Sequence, residues 1–359
     1  MEPPADVFDA VERQIESCRR LGSPLYADLL LRVRDDLQRG GISCDLLTGA
    51  SQRPHHDALP LRYLAGVHQL ALAGRAPDLA QHYPSCNDAA TNATSDPDAV
   101  AAAFFGTVAS HRQEVLAALG RQVQTNEVGR AVVLACGLAA VSRGRAMRTF
   151  ELGASAGLLS RLPWFRFETG TSVCGPKDAT LSFGAEWFDG QPPLLPSRLD
   201  VTMQAACDLT PLDVSTPGGR LRAQSFVWPD QHDRLVRLRC ALAVAEEHPL
   251  TVDAGDAGEW LTAQLAAPAP TNLVTVVFHS IVWQYLPPTT RDALRAALQR
   301  AGAMATRSSP LVWLRMEPAT ADHADLRATS WPGGEEVHLA NVGYHGQQVR
   351  WRSTGGTIG

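Results

Sequence analysis

The first 145 residues follow a helical pattern, in which apolar residues recur at spacings of three and four. No strand-like run interrupts this pattern between Asp6 and about Arg145. Loops rich in Asn, Asp, Ser and Pro separate the runs, as chain reversals require. The helical runs are VFDAVERQI, YADLLLRVRDDL, LRYLAGVHQLALAG, AVAAAFFGTVASHRQEVLAAL and EVGRAVVLACGLAAV. Residues 1–145 are therefore predicted to form an N-terminal helical domain.

From residue 146 to 359 short apolar runs alternate with helical stretches, which is typical of a parallel α/β sheet. The strand-like runs are MRTFELGAS, RLDVTMQAACDL, PLTVDAGDA, NLVTVVFHSIVW, LVWLRMEP, EVHLANVGYHG and QQVRWRS. Only a Gly-Tyr-His-Gly loop separates the last two, so we expect an antiparallel hairpin at the sheet edge. The pattern predicts an open, doubly wound sheet of about seven strands rather than a closed barrel. The glycine-rich segment 163–197 is predicted to be an insertion, folded as a β-hairpin between the first two strands.

Composition excludes several classes of protein. The chain has 359 residues, of which 45% are hydrophobic, and its formal net charge is −5. This length suggests about two domains, and this charge argues against nucleic acid as a partner. The seven cysteines are scattered and form no CxxC pair, so neither a disulfide framework nor a zinc site is indicated. No leader peptide and no run of about 18 apolar residues is seen, and we expect a cytoplasmic protein without membrane contacts.

The most informative motif is FELGASAGL, in which an apolar strand ends at Glu151 and small residues follow at alternate positions. Gly153, Ser155 and Gly157 would let the backbone turn tightly next to a ligand, and open sheets bind cofactors at the carboxyl ends of their strands. A dinucleotide fingerprint reads G-x-G-x-x-G, whereas this motif reads acid-x-Gly-x-small-x-Gly. It resembles motif I of class I S-adenosylmethionine-dependent methyltransferases, with Ser155 in place of the usual middle glycine.

This resemblance implies a Rossmann-like fold that binds S-adenosylmethionine, with the four motif residues shaping the amino-acid side of the cofactor site. It further implies that Asp208, in ACDLTPLDV, holds the ribose, and that Asp256 with Ala257, in VDAGDAGEWL, contacts the adenine. The reaction implied is in-line transfer of a methyl group to a heteroatom, for which positioning and proton removal are the main contributions of the protein. A helical domain that covers the substrate favours a small molecule.

At a finer level the chain resembles an uncharacterised bacterial family with a domain of unknown function. The motifs that carry this resemblance are QTNEVGRA, ELGASAGL, DLTPLD, VWPDQHDRLVRLR, GDAGEWL, FHSIVWQYLP and GYHG. Leu159 stands where relatives tend to have Asn, which removes a polar side chain from the expected cofactor site.

The motif FHSIVWQYLP supplies the candidates for catalysis. His279 is the first candidate for a general base, because imidazole titrates near neutral pH, and Tyr285 is the second. Trp283 and Tyr285 are candidates for an aromatic wall against a sulfonium or a flat substrate, and Gln284 for a substrate contact. The alternative is that His279 caps a strand and that the aromatic rings pack in the core.

Two other polar clusters have structural as well as functional interpretations. Asn126, Glu127 and Arg130, in QTNEVGRA, are candidates for substrate contacts, and the alternative is helix capping with an ion pair. His55, His56 and Asp57 are adjacent on a loop and favour a solvated turn over a metal site, since they match no metal motif.

Three rival functions remain open. The letters GASAG match the nucleophile elbow G-x-S-x-G, so Ser155 with Asp256 and His345 is available as a hydrolase triad. Against it, the motif follows the first recognisable strand, whereas hydrolases place several strands before it. The other rivals are a cofactor-binding protein without catalysis and an enzyme that uses S-adenosylmethionine for chemistry other than methyl transfer.

Overall fold

The computed structural model describes residues 5–87 and 96–352. The chain divides into two compact units. The helical unit contains the described residues up to Thr125 together with Val214–Val236, and the sheet unit contains Asn126–Asp213 and the described residues from Arg237 onward. This division differs from the boundary expected near residue 145, and it assigns a segment from the middle of the chain to the helical unit.

The helical unit is built from amphipathic helices that close over one apolar core. Its helices before residue 126 are α1 (Ala5–Arg20), α2 (Pro24–Gln38), α3 (Ile42–Leu47), α4 (Leu59–Leu72), α5 (Pro77–Ala80), α6 (Pro97–Ser110) and α7 (Arg112–Leu119). The buried rings of Tyr26, Tyr63, Tyr83 and Phe104 lie in this core, as does Trp228 from the later segment. The spacing of apolar residues by three and four positions in the sequence therefore predicts these helices well.

Polar contacts fasten the segment Val214–Val236 into the helical unit. Ser23 Oγ donates to Asp230 Oδ1 at 2.6 Å, and the Leu25 amide donates to Asp230 Oδ2 at 3.0 Å. The imidazole of His68 is fully buried between the Ser225 carbonyl, 3.0 Å from Nδ1, and the Ser85 hydroxyl, 2.7 Å from Nε2. Burial lowers the pKa of His68 to about 4, so this ring is neutral in the fold.

The sheet unit contains a mixed sheet of eight strands. Its strands are β1 (Met147–Leu152), β5 (Val201–Asp208), β6 (Val252–Ala254), β7 (Val274–Ser280), β8 (Leu311–Pro318), β9 (Ala324–Trp331), β10 (Glu335–Val342) and β11 (Arg350–Trp351). They run in the order β11-β10-β9-β8-β7-β1-β5-β6. The strands from β6 to β8 pair in parallel, whereas β8 to β11 form an antiparallel meander.

The structure confirms an α/β class with a predominantly parallel centre, and it confirms the hairpin of β10 with β11. It adds β9, which the sequence pattern does not predict. The remaining helices of the chain are α8 (Ala131–Ser142), α9 (Pro217–Ser225), α10 (His232–Glu247), α11 (Ala257–Gln264) and α12 (Pro288–Ala303). Of these, α9 belongs to the helical unit, and the boundary between the units falls within α10.

Helix α8 packs on the sheet, although the pattern predicts it as part of the helical domain. Nearly every residue of α8 is buried, because its sequence AVVLACGLAAVS is apolar on all sides. A Cβ at Gly137 would lie 3.0 Å from side-chain atoms of both Leu314 and Leu326, so a glycine lets the helix approach the strands closely. The opposite face of the sheet is covered by α11 and α12, which bury Phe150 and Val277.

The segment 163–197 contains a separate small sheet. Its strands are β2 (Arg166–Glu168), β3 (Val173–Cys174) and β4 (Ser182–Phe183). The strands β2 and β3 pair antiparallel as a hairpin, and β4 adds to β2 in parallel. The insertion between β1 and β5 is therefore present, with one more strand than the hairpin expected from the sequence.

Candidate functional site

The loop of residues 153–157, called here the glycine loop, leaves β1 at the carboxyl edge of the parallel strands. Its backbone is left-handed at Gly153 (φ +65°), Ser155 (φ +50°) and Gly157 (φ +65°). A Cβ at Gly153 would lie 2.3 Å from Val282 Cγ2, so only glycine fits this position in both conformation and space. The motif therefore forms the sharp turn that the sequence predicts.

The amide groups of the glycine loop are bonded within the protein. The Ala154 amide donates to the Cys207 carbonyl at 2.9 Å, and the Gly157 amide donates to the Ala154 carbonyl at 2.7 Å. The Ser155 amide donates to Asp208 Oδ2 at 2.8 Å. A phosphate-binding loop presents such amides to its ligand, so this loop is not built as a cradle for a pyrophosphate.

Asn126 bridges two residues of the glycine loop. Its Nδ2 donates to Ser155 Oγ at 3.1 Å, and its Oδ1 accepts from the Ala156 amide at 3.2 Å. Asn126 thus holds the shape of the glycine loop, whereas the side chains of Glu127 and Arg130 bond to backbone groups elsewhere. Glu127 Oε1 caps a short 3₁₀ turn by accepting from the Gly129 amide at 3.0 Å, and Arg130 Nε donates to the Tyr344 carbonyl at 3.1 Å.

Asp208 lies at the end of β5 and orients the glycine loop. Its Oδ2 accepts from the Ser155 amide at 2.8 Å, and its Oδ1 accepts from the Thr210 amide at 2.9 Å. The residue is half-buried. An ionised carboxylate has about four acceptor directions, so these two bonds fix Asp208 and leave acceptor capacity on each oxygen.

Glu151 is buried beneath the loop, with 4% of its surface exposed, and therefore does not line an open site. Ser160 Oγ donates to Glu151 Oε2 at 2.5 Å. Burial raises the pKa of Glu151 to about 7, against the weaker opposing effects of the Ser160 bonds and of Arg161. The acid that ends the first strand is thus a partly protonated structural group near neutral pH.

Arg161 is a buried residue that sequence reasoning missed. Its Nη1 donates to the carbonyls of Ala156, at 3.0 Å, and Gly157, at 2.8 Å, and its Nε donates to the His248 carbonyl at 2.9 Å. These bonds hold the far end of the glycine loop. The only sequence signal was an arginine within an otherwise apolar run, LLSRLPWF.

Asp256 is the N-cap of α11. Its Oδ1 accepts from the amides of Gly258, at 2.8 Å, and Glu259, at 3.2 Å, and its Oδ2 accepts from the Thr290 hydroxyl. Ala257 is buried in the first turn of that helix. Capping therefore accounts for Asp256 without a ligand. The neighbouring acid on β6, Asp253, is exposed and accepts from Trp260 Nε1 at 2.7 Å.

His279 is enclosed, with 1% of its surface exposed, and both ring nitrogens have partners. Trp313 Nε1 lies 3.0 Å from His279 Nε2, and His279 Nδ1 lies 2.6 Å from Glu317 Oε1. An indole N–H only donates, so Nε2 must accept and the ring proton is on Nδ1, where it is donated to Glu317. Both ring nitrogens of His279 therefore have partners within the protein, and its role as a general base stays a prediction.

Trp283 belongs to the same packed cluster. It stacks on His279 with ring centroids 5.6 Å apart and planes 14° apart, and the guanidinium of Arg295 lies 5.1 Å from its ring centroid. Trp313 packs against it at 5.4 Å. This arrangement agrees with the alternative that Trp283 is a packing residue rather than an open aromatic wall.

Glu317, at the end of β8, holds the turn that follows β7. Besides His279, its Oε1 accepts from the amides of Val282 at 3.1 Å and Trp283 at 3.2 Å. Its Oε2 is buried without a hydrogen-bond partner among the described residues. The turn presents Gln284 and Tyr285 outward, and Tyr285 is 51% exposed. Of the polar residues in FHSIVWQYLP, these two are the ones accessible to a substrate.

Ser155 and the loop of His55, His56 and Asp57 have hydrogen-bond partners close to them in the structure. The hydroxyl of Ser155 bonds to the Asn126 amide, and no imidazole of the described residues lies within hydrogen-bond distance of it. His56 and Ser51 bond to Asp57 within their own loop. Within the residues 5–87 and 96–352 no group of three metal-ligating side chains occurs, and no helix is long and apolar enough to cross a membrane.

Comparison with known proteins assigns the chain to a family. It belongs to a family described as "uncharacterized protein conserved in bacteria", DUF2332, whose model matches residues 9–351. No curated protein and no solved structure matches it.

Proposed function

We propose that this member of the DUF2332 family is an S-adenosylmethionine-dependent methyltransferase that transfers a methyl group to a heteroatom of a small molecule. The observation that carries the proposal is the position of the glycine loop. The parallel strands follow the order β6-β5-β1-β7-β8, so the chain order reverses between β1 and β7. Open α/β sheets bind nucleotide-like cofactors at such a switch point, and the glycine loop leaves β1 there.

The hydrogen-bonding groups of the glycine loop and of Asp208 fit S-adenosylmethionine better than they fit a dinucleotide. The glycine loop uses its amides internally, which disfavours a pyrophosphate, and S-adenosylmethionine carries none. Asp208 fits the ribose role, because two amides hold it rigidly while acceptor capacity remains for a diol. Asp256 fits less well, since three donors already use its oxygens.

When bound, S-adenosylmethionine supplies a methyl group activated by its sulfonium. In this proposal Asp208 holds the ribose, and Asn126 and Arg161 keep the glycine loop in its left-handed form. Tyr285 is 51% exposed beside Gln284, and in this proposal its protonated phenol donates a hydrogen bond to a substrate. The rate advantage then comes from positioning, which suits a nucleophile whose attacking lone pair is free without prior loss of a proton.

A second candidate function is binding of the cofactor without turnover. It is favoured by the engagement of His279, whose two nitrogens are bonded to Trp313 and Glu317. Without another base in FHSIVWQYLP, substrates that must lose a proton before attack would react slowly. A cofactor-binding protein needs the loop and Asp208 but no acid–base group.

Isothermal titration with S-adenosylmethionine and S-adenosylhomocysteine tests the cofactor site. We expect micromolar binding to the full chain, lost in Asp208→Ala and retained in Asp178→Ala, which removes an exposed carboxylate beside the small sheet. Circular dichroism of each variant checks that the fold is kept. Absence of binding to the unmodified chain would refute the proposal. Binding with no S-adenosylhomocysteine formed from a panel of amines, thiols and phenols would favour the second candidate.

A further inference from the structure

A cavity of about 730 Å³ opens at the edge of the sheet opposite the glycine loop. It lies where β1 and β8 begin and where β9 turns into β10. This volume is typical of sites for small organic molecules. The residues lining it are Val141, Arg143, Arg145, Arg307, Pro310, Val312, Ser330, Trp331, Pro332 and Gly333.

Three arginines from two separate connections line this cavity. Arg143 ends α8 in a left-handed conformation (φ +53°), Arg145 precedes β1, and Arg307 lies in the turn before β8. None of the lining residues is an aspartate or glutamate, although the whole chain has a net charge of −5. The cavity is therefore a local concentration of positive charge on an acidic protein.

The arginines differ in how they are held. The guanidinium of Arg145 is anchored, since Nη1 donates to the Arg307 carbonyl at 3.1 Å and Nε to the Ser142 carbonyl at 3.4 Å. The side chains of Arg143 and Arg307 make no ion pair and no hydrogen bond within the described part of the chain, and both are exposed. Guanidinium groups bind phosphate and carboxylate through two parallel hydrogen bonds. The guanidinium groups of Arg143 and Arg307 can therefore both bind an anion in this cavity.

Apart from Ser330 the remaining lining is apolar, and it includes an aromatic residue. Val141 and Val312 are buried beneath the cavity, and Trp331 is half-buried in its wall. An indole at the border of a cationic site stacks readily on a planar ring. The cavity is also larger than an inorganic anion needs, which leaves room for a non-ionic part of a ligand.

We propose that this cavity binds a small organic phosphate that carries a planar ring, as nucleotides do, with Arg143 and Arg307 on the phosphates and Trp331 against the ring. The site does not depend on the proposed methyltransferase function, because it lies at the amino ends of β1 and β8, whereas the glycine loop and Asp208 lie at the carboxyl ends of β1 and β5.

Titration of the full chain with ATP, adenosine and inorganic pyrophosphate tests this proposal. We expect ATP to bind at least tenfold more tightly than adenosine and than pyrophosphate, with an affinity that falls as salt is raised. The double variant Arg143→Gln/Arg307→Gln should lose at least tenfold in ATP affinity. Arg300→Gln, which removes an exposed arginine of α12 outside the cavity, should bind as the unmodified chain does.

Two further measurements separate the role of Trp331 from that of the two arginines. Trp331→Leu should reduce the preference for ATP over pyrophosphate, while binding of S-adenosylmethionine should be unchanged in Arg143→Gln/Arg307→Gln. ATP that fails to bind, or that binds Arg143→Gln/Arg307→Gln as tightly as Arg300→Gln, would overturn the proposal. Loss of ATP binding in Asp208→Ala with no loss in the double arginine variant would place ATP in the other site and would also overturn it.

Discussion

Replacement of Glu151 by glutamine should remove a pH dependence of stability that originates in the sheet unit. In the folded chain burial raises the pKa of this carboxyl to about 7, against an ordinary value of 4.5. The folded state therefore binds more protons than the unfolded state between these two values. Stability falls as pH rises through this window, since the carboxylate ionises freely only after unfolding.

The size of the effect follows from the difference between the two pKa values. A change from 4.5 to about 7 corresponds to about 3 kcal/mol of folding free energy, lost between pH 4.5 and pH 7. The glutamine side chain of Glu151→Gln is neutral at every pH and keeps the packing volume. Its altered bond to Ser160 shifts stability by an amount that does not vary with pH. We therefore expect the difference between the two free energies of unfolding to change by about 3 kcal/mol across the window, with Glu151→Gln becoming more stable relative to the unmodified chain as pH rises.

Urea unfolding followed by tryptophan fluorescence measures this difference at pH 4.5, 5.5, 6.5 and 7.5. Of the eight tryptophans, only Trp228 belongs to the helical unit, so the signal reports mainly on the sheet unit. Glu335→Gln, which removes an exposed carboxyl from β10, is the matched control and should follow the unmodified chain. A constant difference between Glu151→Gln and the unmodified chain across the whole range would refute the reasoning.

Three further predictions concern stability. The pKa of His68 is lowered to about 4, so the folded state loses stability as pH falls from 6.5 towards 4; far-ultraviolet circular dichroism of urea unfolding should show this loss reduced in His68→Asn. Glu317→Ala leaves three donors without their acceptor and should cost at least about 3 kcal/mol in chemical unfolding, whereas an unchanged midpoint would contradict the described network. Gly153→Ala should cost about 2 kcal/mol or more from backbone strain and the clash with Val282, and Gly153→Ala/Val282→Ala should cost less than the two single changes added together if that clash is real.

Much of the fold is predictable because its signals are local. The runs that become β1, β5, β7 and β8 are apolar and bounded by turn residues, as buried parallel strands require. The strand β9 is missed because the residues of ADLRATSW are mostly polar or small, which does not indicate a strand. The segment is a strand because it pairs with β8 on one side and with β10 on the other. The burial of α8 can be predicted from its sequence, because a helix that is apolar on all sides is typically buried.

The candidate site is predictable only in part, because its decisive contacts join residues far apart in the sequence. The glycine loop follows from its own motif. The state of His279 depends on Trp313 and Glu317, more than 30 residues away, and nothing in FHSIVWQYLP shows that both nitrogens are engaged. Asp256 illustrates the opposite case, since an acid before Ala-Gly-Glu is also an ordinary N-cap, and that simpler role is the one its geometry supports.

The interrupted course of the helical unit has a consequence for how the protein is made. A ribosome that has released residues up to Thr125 has not yet released the segment Val214–Val236, which completes that unit. Until then Ser23 and His68 lack Asp230 and the Ser225 carbonyl, so the nascent helices cannot close their polar contacts. The first strands of the sheet must leave the ribosome before the earlier helices are finished. A truncated gene that ends at Thr125 should accordingly yield an incompletely packed, protease-sensitive product, and co-expression of the missing segment is the rational way to rescue it.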